Sequence, residues 1–264
     1  MSGKVINVTF INKEVFRLDV ARHGARPEVA TRPEVAAPKA GQFFMIKPKR
    51  SAVFLCRPIC VTFWQADKIT FLIAMIGKGT RELASMHIGE EIELIGPRGN
   101  AWTDFLSVEK IRAKPVALIG GSLGVAPLNA LLCETQEYAF DLYAGFKTGF
   151  ETQEEKDALL GPAEKARNVI IASEDGKTGQ KGLILDFLEP EKYAAVCACG
   201  TLPMLKAVAK KCIAKKVPCF ISMESRMACG VGACLGCAVK TVNGNRRCCA
   251  DGPIFKAEEV IFND

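Results

Sequence analysis

Five of the twelve cysteines in this 264-residue chain fall between positions 229 and 249. Cys229, Cys234 and Cys237 stand within nine residues, in MACGVGACLGCAV, with Gly230, Gly232 and Gly236 between them. Cys248 and Cys249 follow, and with Cys249 the spacing reads C-x4-C-x2-C-x11-C. The amino-terminal MSGKVINVTFINKEVF lacks the basic-then-apolar pattern of a secretory leader, so a cytoplasmic protein is expected. In that setting crowded cysteines signal metal or redox chemistry rather than a disulfide framework. Four thiolates hold a zinc ion or an iron–sulfur cluster. Zinc ribbons favour two C-x2-C knuckles; here there is one, preceded by C-x4-C, which is how plant-type ferredoxins begin and which points to a 2Fe–2S cluster. Structural zinc, and thiols merely buried as small hydrophobes, are the competing readings. The three glycines supply positive φ angles and close approach, so that backbone N–H groups face anionic sulfur. Spacing does not choose between Cys248 and Cys249 as the fourth ligand. Cys56, Cys133, Cys197, Cys212 and Cys219 read as buried thiols.

The rest of the chain changes character near residue 110. Over 1–103, short runs rich in Val, Ile, Phe and Thr (VINVTFI, VFRLDV, QFFMIKP, RPICVTF, KITFLIAMI, EEIELIG) are punctuated by turns and predict an antiparallel β-barrel with one short helix at TRELASM. Segment 21–40 interrupts them with RPEVA twice, at 26–30 and 32–36, and predicts a flexible insertion, a partner-docking arm being the alternative. Over 112–222, the continuous apolar runs PVALIG, FDLYAGF, NVIIAS, AAVCACG and PCFIS are those of strands buried on both faces. Helical patterns alternate with them, at VAPLNALLCETQ, TQEEKDALL, LILDFL and LPMLKAVAKKCIAKK, and predict a doubly wound parallel sheet. Residues 223–264 form a small cysteine-rich module that closes on a short strand, EEVIF. The fold class expected is therefore multidomain, all-β barrel followed by α/β.

Hydrophobic residues make up 49% and charged residues 24% of the chain, enough to bury a core and remain soluble. The net charge of +6 is mild and comes without a block of like charge, so nucleic acid is not expected and a pyrophosphate or an acidic partner accounts for it. No apolar run approaches the ~18 residues of a membrane span.

A one-electron cluster needs a partner on the same chain. Arg57, in RPIC on a barrel strand, offers a fork of donors suited to a pyrophosphate. Gly77, Gly79 and Thr80, in GKGT, open the short helix and direct backbone N–H groups at a phosphate. Gly120, Gly121 and Gly124 follow the first parallel strand in ALIGGSLGVAPL, a βα turn open to a nucleotide. Cys199 and Gly200, in CACGTLPML, sit at the carboxyl edge where such sheets bind ligands; the Cys199 thiol suits contact with a nicotinamide, and a tight turn that requires Gly200 accounts for the segment equally well. Lys147 faces a 2′-phosphate or solvent equally well. His23 and His87 are the only histidines and have no evident catalytic partner.

Taken in order, R-P-I-x, G-x-G-T, G-G-x-x-G-V-A-P-L, C-G-x-x-P-M-L, ESRMACGVGAC and CADGPIF resemble the electron-transfer subunits of NAD-dependent dihydroorotate dehydrogenases (class 1B), within the ferredoxin–NADP reductase superfamily. The resemblance covers roughly residues 4–262 apart from the RPEVA insertion. It implies FAD on the barrel, with Arg57, Pro58, Ile59 and Cys60 along the flavin, Leu72, Ile73 and Ala74 beside it, and Gly77, Gly79 and Thr80 at its pyrophosphate. It implies NAD over 120–127 and Cys199, the latter the residue nearest the reacting nicotinamide. It selects Cys249 as the fourth cluster ligand, because in the family that cysteine directly precedes x-D-G-P. It further implies an FMN-containing catalytic partner subunit, in a hetero-oligomer with two of each, and an electron relay from dihydroorotate to NAD+ in pyrimidine biosynthesis. Two positions depart from the family: Cys60 stands where a Ser or Thr is usual, and Ile73 and Ala74 where a Tyr-Arg pair is frequent. Related FAD/2Fe–2S subunits serving NAD(P)H and ferredoxin chemistry, and a zinc-stabilised nucleotide-binding regulator, are the alternatives.

Overall fold

The computed structural model describes residues 2–21, 37–106, 114–135 and 137–262; both RPEVA repeats and His23 lie outside them. Its amino-terminal strands are β1 (Ser2–Phe10), β2 (Val15–Ala21), β3 (Phe43–Pro48), β4 (Arg57–Cys60), β5 (Phe63–Trp64), β6 (Lys68–Ala74) and β7 (Glu91–Arg98), with helix α1 (Lys78–Ala84) between the last two. They form one seven-stranded antiparallel sheet in the order β4-β3-β7-β1-β2-β6-β5. Alternate side chains point inward, as the two-residue period of a strand requires: Phe16, Leu18 and Val20 from β2 meet Ile69, Phe71 and Ile73 from β6, Phe44 and Ile46 from β3, and Leu83 of α1.

RPICVTF, read from sequence as one strand, is bent. Cys60 pairs with Phe43 of β3, and Val61 N–H still bonds to Gln42 on that side, but Thr62 N–H bonds to Thr70 of β6. The chain thus crosses from one edge of the sheet to the other, curling it into a barrel. That corner is what brings Arg57–Cys60 to the barrel rim.

The second sheet runs β11 (Gln180–Lys181), β10 (Asn168–Ser173), β9 (Phe140–Phe146), β8 (Val116–Gly121), β12 (Ala195–Cys199), β13 (Cys219–Ser222), β16 (Ile254–Lys256). All pairs are parallel except β13–β16. Helices α2 (Val125–Glu134), α3 (Gln153–Leu160) and α4 (Leu202–Ala214) connect them. Leu118, Leu142 and Cys197 pack toward Leu128 and Leu131 of α2 on one face. Ala117, Ile119, Val196 and Ala198 pack toward Leu205 and Val208 of α4 on the other. Burial on both faces is why these runs lack the polar alternation seen in the barrel.

The carboxyl-terminal module is a cysteine loop followed by the hairpin β14 (Ala238–Thr241) and β15 (Gly244–Arg247). Its Cys237, Val239, Cys248 and Cys249 share a core with Phe43 and Met45 of β3 and with the sheet face under α4. A clasp reinforces the join: Asn100 Nδ2 donates to the Ile254 carbonyl at 2.8 Å and Asn100 Oδ1 accepts Ile254 N–H at 3.0 Å.

Two expected elements are corrected. EEVIF is not a strand: Ala257–Glu259 is a 3-10 turn and Val260 makes a lone bridge to Thr241, while the strand that joins the sheet is Ile254–Lys256, just before it. LILDFL is not an α-helix but a 3-10 turn, Ile184–Phe187. Gly182 before it, with φ +126°, and Pro190 after it leave space for a single turn. Two of the thiols read as buried, Cys56 and Cys133, are only half-buried; Cys197, Cys212 and Cys219 are buried.

Candidate functional site

All twelve cysteines are free thiols, and the module arranges its own around backbone donors. Val231 N–H and Cys234 N–H reach Cys229 Sγ at 3.4 and 3.5 Å. Gly232 N–H reaches Cys249 Sγ at 3.1 Å, and Cys249 N–H reaches Cys237 Sγ at 3.4 Å. Donors favour the thiolate; led by the Val231 N–H, they lower the Cys229 thiol to about 6. The four side chains meet in two pairs, Cys229 with Cys234 and Cys237 with Cys249. Among the described residues no three His, Cys, Asp or Glu side chains converge on one point. Cys229, Cys234, Cys237 and Cys249 are the residues that would hold an iron–sulfur cluster, and thiolate is the donor such a cluster takes.

Positive φ angles shape the loop at Gly230 (+66°) and Gly232 (+81°), but the third is at Leu235 (+59°) and not at Gly236. Gly236 provides space instead: a Cβ there would find only Cys234 Sγ, at 3.6 Å. Gly230 lets the loop lie against the barrel, since a Cβ would come within 2.6 Å of Met45 Cγ, and Met45 pairs across β3–β4 with Pro58. The adjacent cysteines part company. Cys249 turns into the loop, whereas Cys248, fully buried, donates to the Met223 carbonyl at 3.0 Å, and burial pushes its thiol up.

At the barrel rim the Arg57 guanidinium rests on Gly79, where a Cβ would lie 2.5 Å from Cζ, Nε and Nη2. Nη1 is held locally by the Leu55 and Cys56 carbonyls. Thr80 Oγ1 accepts Gly77 N–H and donates to the Gly77 carbonyl, both at 3.1 Å, fixing the start of α1; Gly77 itself faces open space. A guanidinium, a side-chain-free backbone and a helix start thus converge, a cradle with the chemistry for a pyrophosphate. Pro58, Ile59 and Cys60 stay partly exposed beside it. Of the β6 residues, Ala74 is partly exposed and Leu72 nearly buried, while the Ile73 side chain is packed into the barrel core, leaving only its backbone to face a ligand.

The second cradle is the carboxyl edge between β8 and β12, where strand order reverses and doubly wound sheets open a crevice. Gly120 pairs with Cys199 across it. Gly124 carries no side chain because a Cβ would sit 2.2 Å from the Cys199 carbonyl oxygen; at Gly121 it would meet Met204 Sδ at 2.6 Å, and at Gly200 Met204 Cε at 2.7 Å. These glycines therefore lock two βα turns together, and the positive φ of the first turn falls on Ser122 (+52°).

Between the cradles, residues from distant parts of the chain gather. The Cys199 thiol is raised well above its ordinary value by burial, then by Cys60 and Glu224, and is hydrogen-bonded with Ser222. Cys60 is pushed up to about 12 by burial, with Glu224 adding to it. Glu224 keeps an exposed surface, yet desolvation raises its carboxyl too. Both thiols are thus neutral at physiological pH. Sequence reasoning missed Ser222, Glu224 and Met204; position gives the one available signal, Glu224 opening the ESRMACGVGAC stretch. His87 lies on the exposed turn after α1.

A barrel with an anion cradle, a parallel sheet with a switch-point crevice and a cysteine module docked on the barrel define the ferredoxin–NADP reductase-like fold with an appended cysteine module. Solved structures share the fold: the NADH-dependent reduced ferredoxin-NADP oxidoreductase matches 98% of this chain and 89% of its own at TM-score 0.77 and 23% identity. A ferredoxin NADP+ reductase from Neisseria gonorrhoeae matches 81% and 90% at TM-score 0.59 and 19% identity. Residues 224–261 match the iron-sulfur cluster binding domain of dihydroorotate dehydrogenase B. The dihydroorotate dehydrogenase B (NAD(+)) electron transfer subunit of Clostridium acetobutylicum is 39% identical over 86% of this chain and 87% of its own length. That of Caldanaerobacter subterraneus subsp. tengcongensis is 34% identical over 99% and 98%. The chain belongs to the family of dihydroorotate dehydrogenase B (NAD(+)) electron transfer subunits, and so works with a catalytic partner subunit.

Proposed function

We propose that this chain carries electrons from a catalytic subunit that oxidises dihydroorotate to orotate, through a 2Fe–2S cluster and FAD, to NAD+. The observation that carries the reading is the pairing of the four module thiols under backbone N–H donors, on a loop that abuts the barrel strand next to Arg57–Cys60. When bound, the cluster supplies one-electron transfer and the flavin converts single electrons into a hydride.

The chain's own residues hold, orient and exclude water. Cys229, Cys234, Cys237 and Cys249 hold the cluster. Arg57, Gly77, Gly79 and Thr80 hold the flavin pyrophosphate, with Pro58, Ile59, Cys60, Leu72, Ala74 and the Ile73 backbone along the flavin. Gly120, Gly121, Gly124 and Gly200 form the nicotinamide nucleotide's floor, and Cys199 stands closest to its reacting ring. Because the Cys60 and Cys199 thiols keep their protons, the space between the cradles contains no thiolate to compete as a nucleophile or to repel a hydride. Exposed Cys234, Val231 and Leu235 turn the cluster loop outward, toward a partner that bears FMN, in an assembly with two of each subunit. Twelve free thiols fit a reducing cytoplasm, and among the described residues no helix is long and apolar enough to cross a membrane.

The test is NADH formation from dihydroorotate by the co-purified complex. Activity that Cys234→Ser abolishes while orotate formation with an artificial acceptor continues supports the relay; full NAD+ reduction by Cys234→Ser contradicts it.

A further inference from the structure

Arg247 ends β15 two residues before Cys249 and is held more firmly than a surface arginine ordinarily is. Asp251 takes three hydrogen bonds from it: backbone N–H to Oδ2 at 2.7 Å, Nε to Oδ2 at 2.8 Å and Nη2 to Oδ1 at 2.8 Å. Its carbonyl accepts the N–H groups of Ala250, Asp251 and Gly252 at 3.2, 2.7 and 3.2 Å, so the turn that delivers Cys249 is wound around this one residue. The free arm of the guanidinium lies on the cysteine loop: a Cβ on Gly232 would stand 3.2 Å from Nη1, and the Gly232 N–H is the donor to Cys249 Sγ. One edge of the fork therefore grips a carboxylate while Nη1, on the other, lies beside Gly232 of the cysteine loop.

Stability alone does not call for this arrangement, since a partly exposed ion pair contributes only ~0–1 kcal/mol. Its placement matters more for an anionic centre. A cluster held by four thiolates gains one further negative charge on reduction, and nearby charge and hydrogen bonds set its potential. A fixed cation on the loop favours the reduced form, and a fixed anion paired with that cation opposes it.

We propose that the Arg247–Asp251 pair sets the reduction potential of the cluster, Arg247 raising it and Asp251 restraining that rise. The inference rests on the proposed cluster and names the positioning residues that tune it. The test is a redox titration of the cluster in the intact complex, followed by electron paramagnetic resonance of the reduced form. Arg247→Gln lowers the equilibrium constant for cluster reduction roughly tenfold, about 59 mV for one electron, and Arg247→Lys recovers part of the loss. Asp251→Asn shifts it the other way by a smaller factor. Both shifts shrink as salt is raised. Equilibrium constants for cluster reduction within about twofold of the parent in all three variants overturn the inference while leaving the relay intact, as do shifts of the same sign in Arg247→Gln and Asp251→Asn, the signature of a merely loosened loop. Should Arg247→Gln fail to retain its cluster, the opposite-sign requirement is read from Arg247→Lys and Asp251→Asn. An unsubstituted complex without iron overturns the relay and the inference together.

Discussion

The molecule uses cysteine in two opposite ways. In the module, the sulfurs of Cys229, Cys237 and Cys249 accept backbone N–H groups from within the segment 229–249, and Cys229 is drawn toward the thiolate. In the crevice, Cys60 and Cys199 come from strands 139 positions apart in the numbering (60 and 199), are desolvated, and hold their protons. The same side chain is drawn toward the thiolate where backbone N–H groups are aimed at it, and keeps its proton where desolvation outweighs its partners. Cys248 and Cys249, neighbours in sequence, differ in partner and not in titration: burial raises both thiols, but Cys249 Sγ accepts the Gly232 N–H while Cys248 Sγ donates to the Met223 carbonyl.

That adjacent pair offers the sharpest way to break the comparison. Cys249→Ala is expected to lose the cluster's visible absorption and all electron transfer. Cys248→Ala keeps both and loses only the bond to the Met223 carbonyl and a little packing, roughly 1–2 kcal/mol by denaturant unfolding. Equal iron contents in the two variants would erase the distinction.

A smaller effect is expected in the crevice. Gly124→Ala forces a methyl against the Cys199 carbonyl oxygen, a backbone atom that cannot swing aside. It costs about 1–3 kcal/mol of stability and raises KM for NAD+, with the iron content unchanged. A variant with parental stability and KM would show that the two turns are not locked.

The smallest effect is one of reactivity. In metal-free protein the Cys229 thiol, lowered to about 6 from an ordinary 9.0, is thiolate above that pH, so its alkylation rate levels off above about pH 7. Cys199, buried and raised well above its ordinary value, stays protonated and unmodified at pH 8. Peptide mapping after iodoacetamide treatment reads both. A Cys229 rate still climbing between pH 8 and pH 9 would contradict the account.

The contrast also explains what was legible in the sequence. The cysteine loop is local: cysteine spacing, intervening glycines and the fold of a short segment are written side by side, so the proposed ligands were read off directly, save that Leu235 and not Gly236 takes the third left-handed turn. Choosing Cys249 over Cys248 needed the family resemblance, because spacing differs by one residue and only the structure shows where each sulfur points. Barrel and parallel sheet were legible from short, turn-punctuated β-rich runs in one half and continuous apolar runs alternating with helical patterns in the other. The crevice was half legible. Cys199 and the glycines announce themselves as turn residues, but Ser222, Glu224 and Met204 are brought there by strand order and helix packing, which leave no periodic mark. EEVIF misled because its apolar residues serve a lone bridge, while the pairing strand is three residues long.

The central claim is that four thiols, in two pairs, hold a two-iron centre beside the barrel. Iron and acid-labile sulfide measured in the anaerobically purified complex test it most directly. The account predicts about two of each per copy of this chain; zinc in their place, or iron without sulfide, would contradict it.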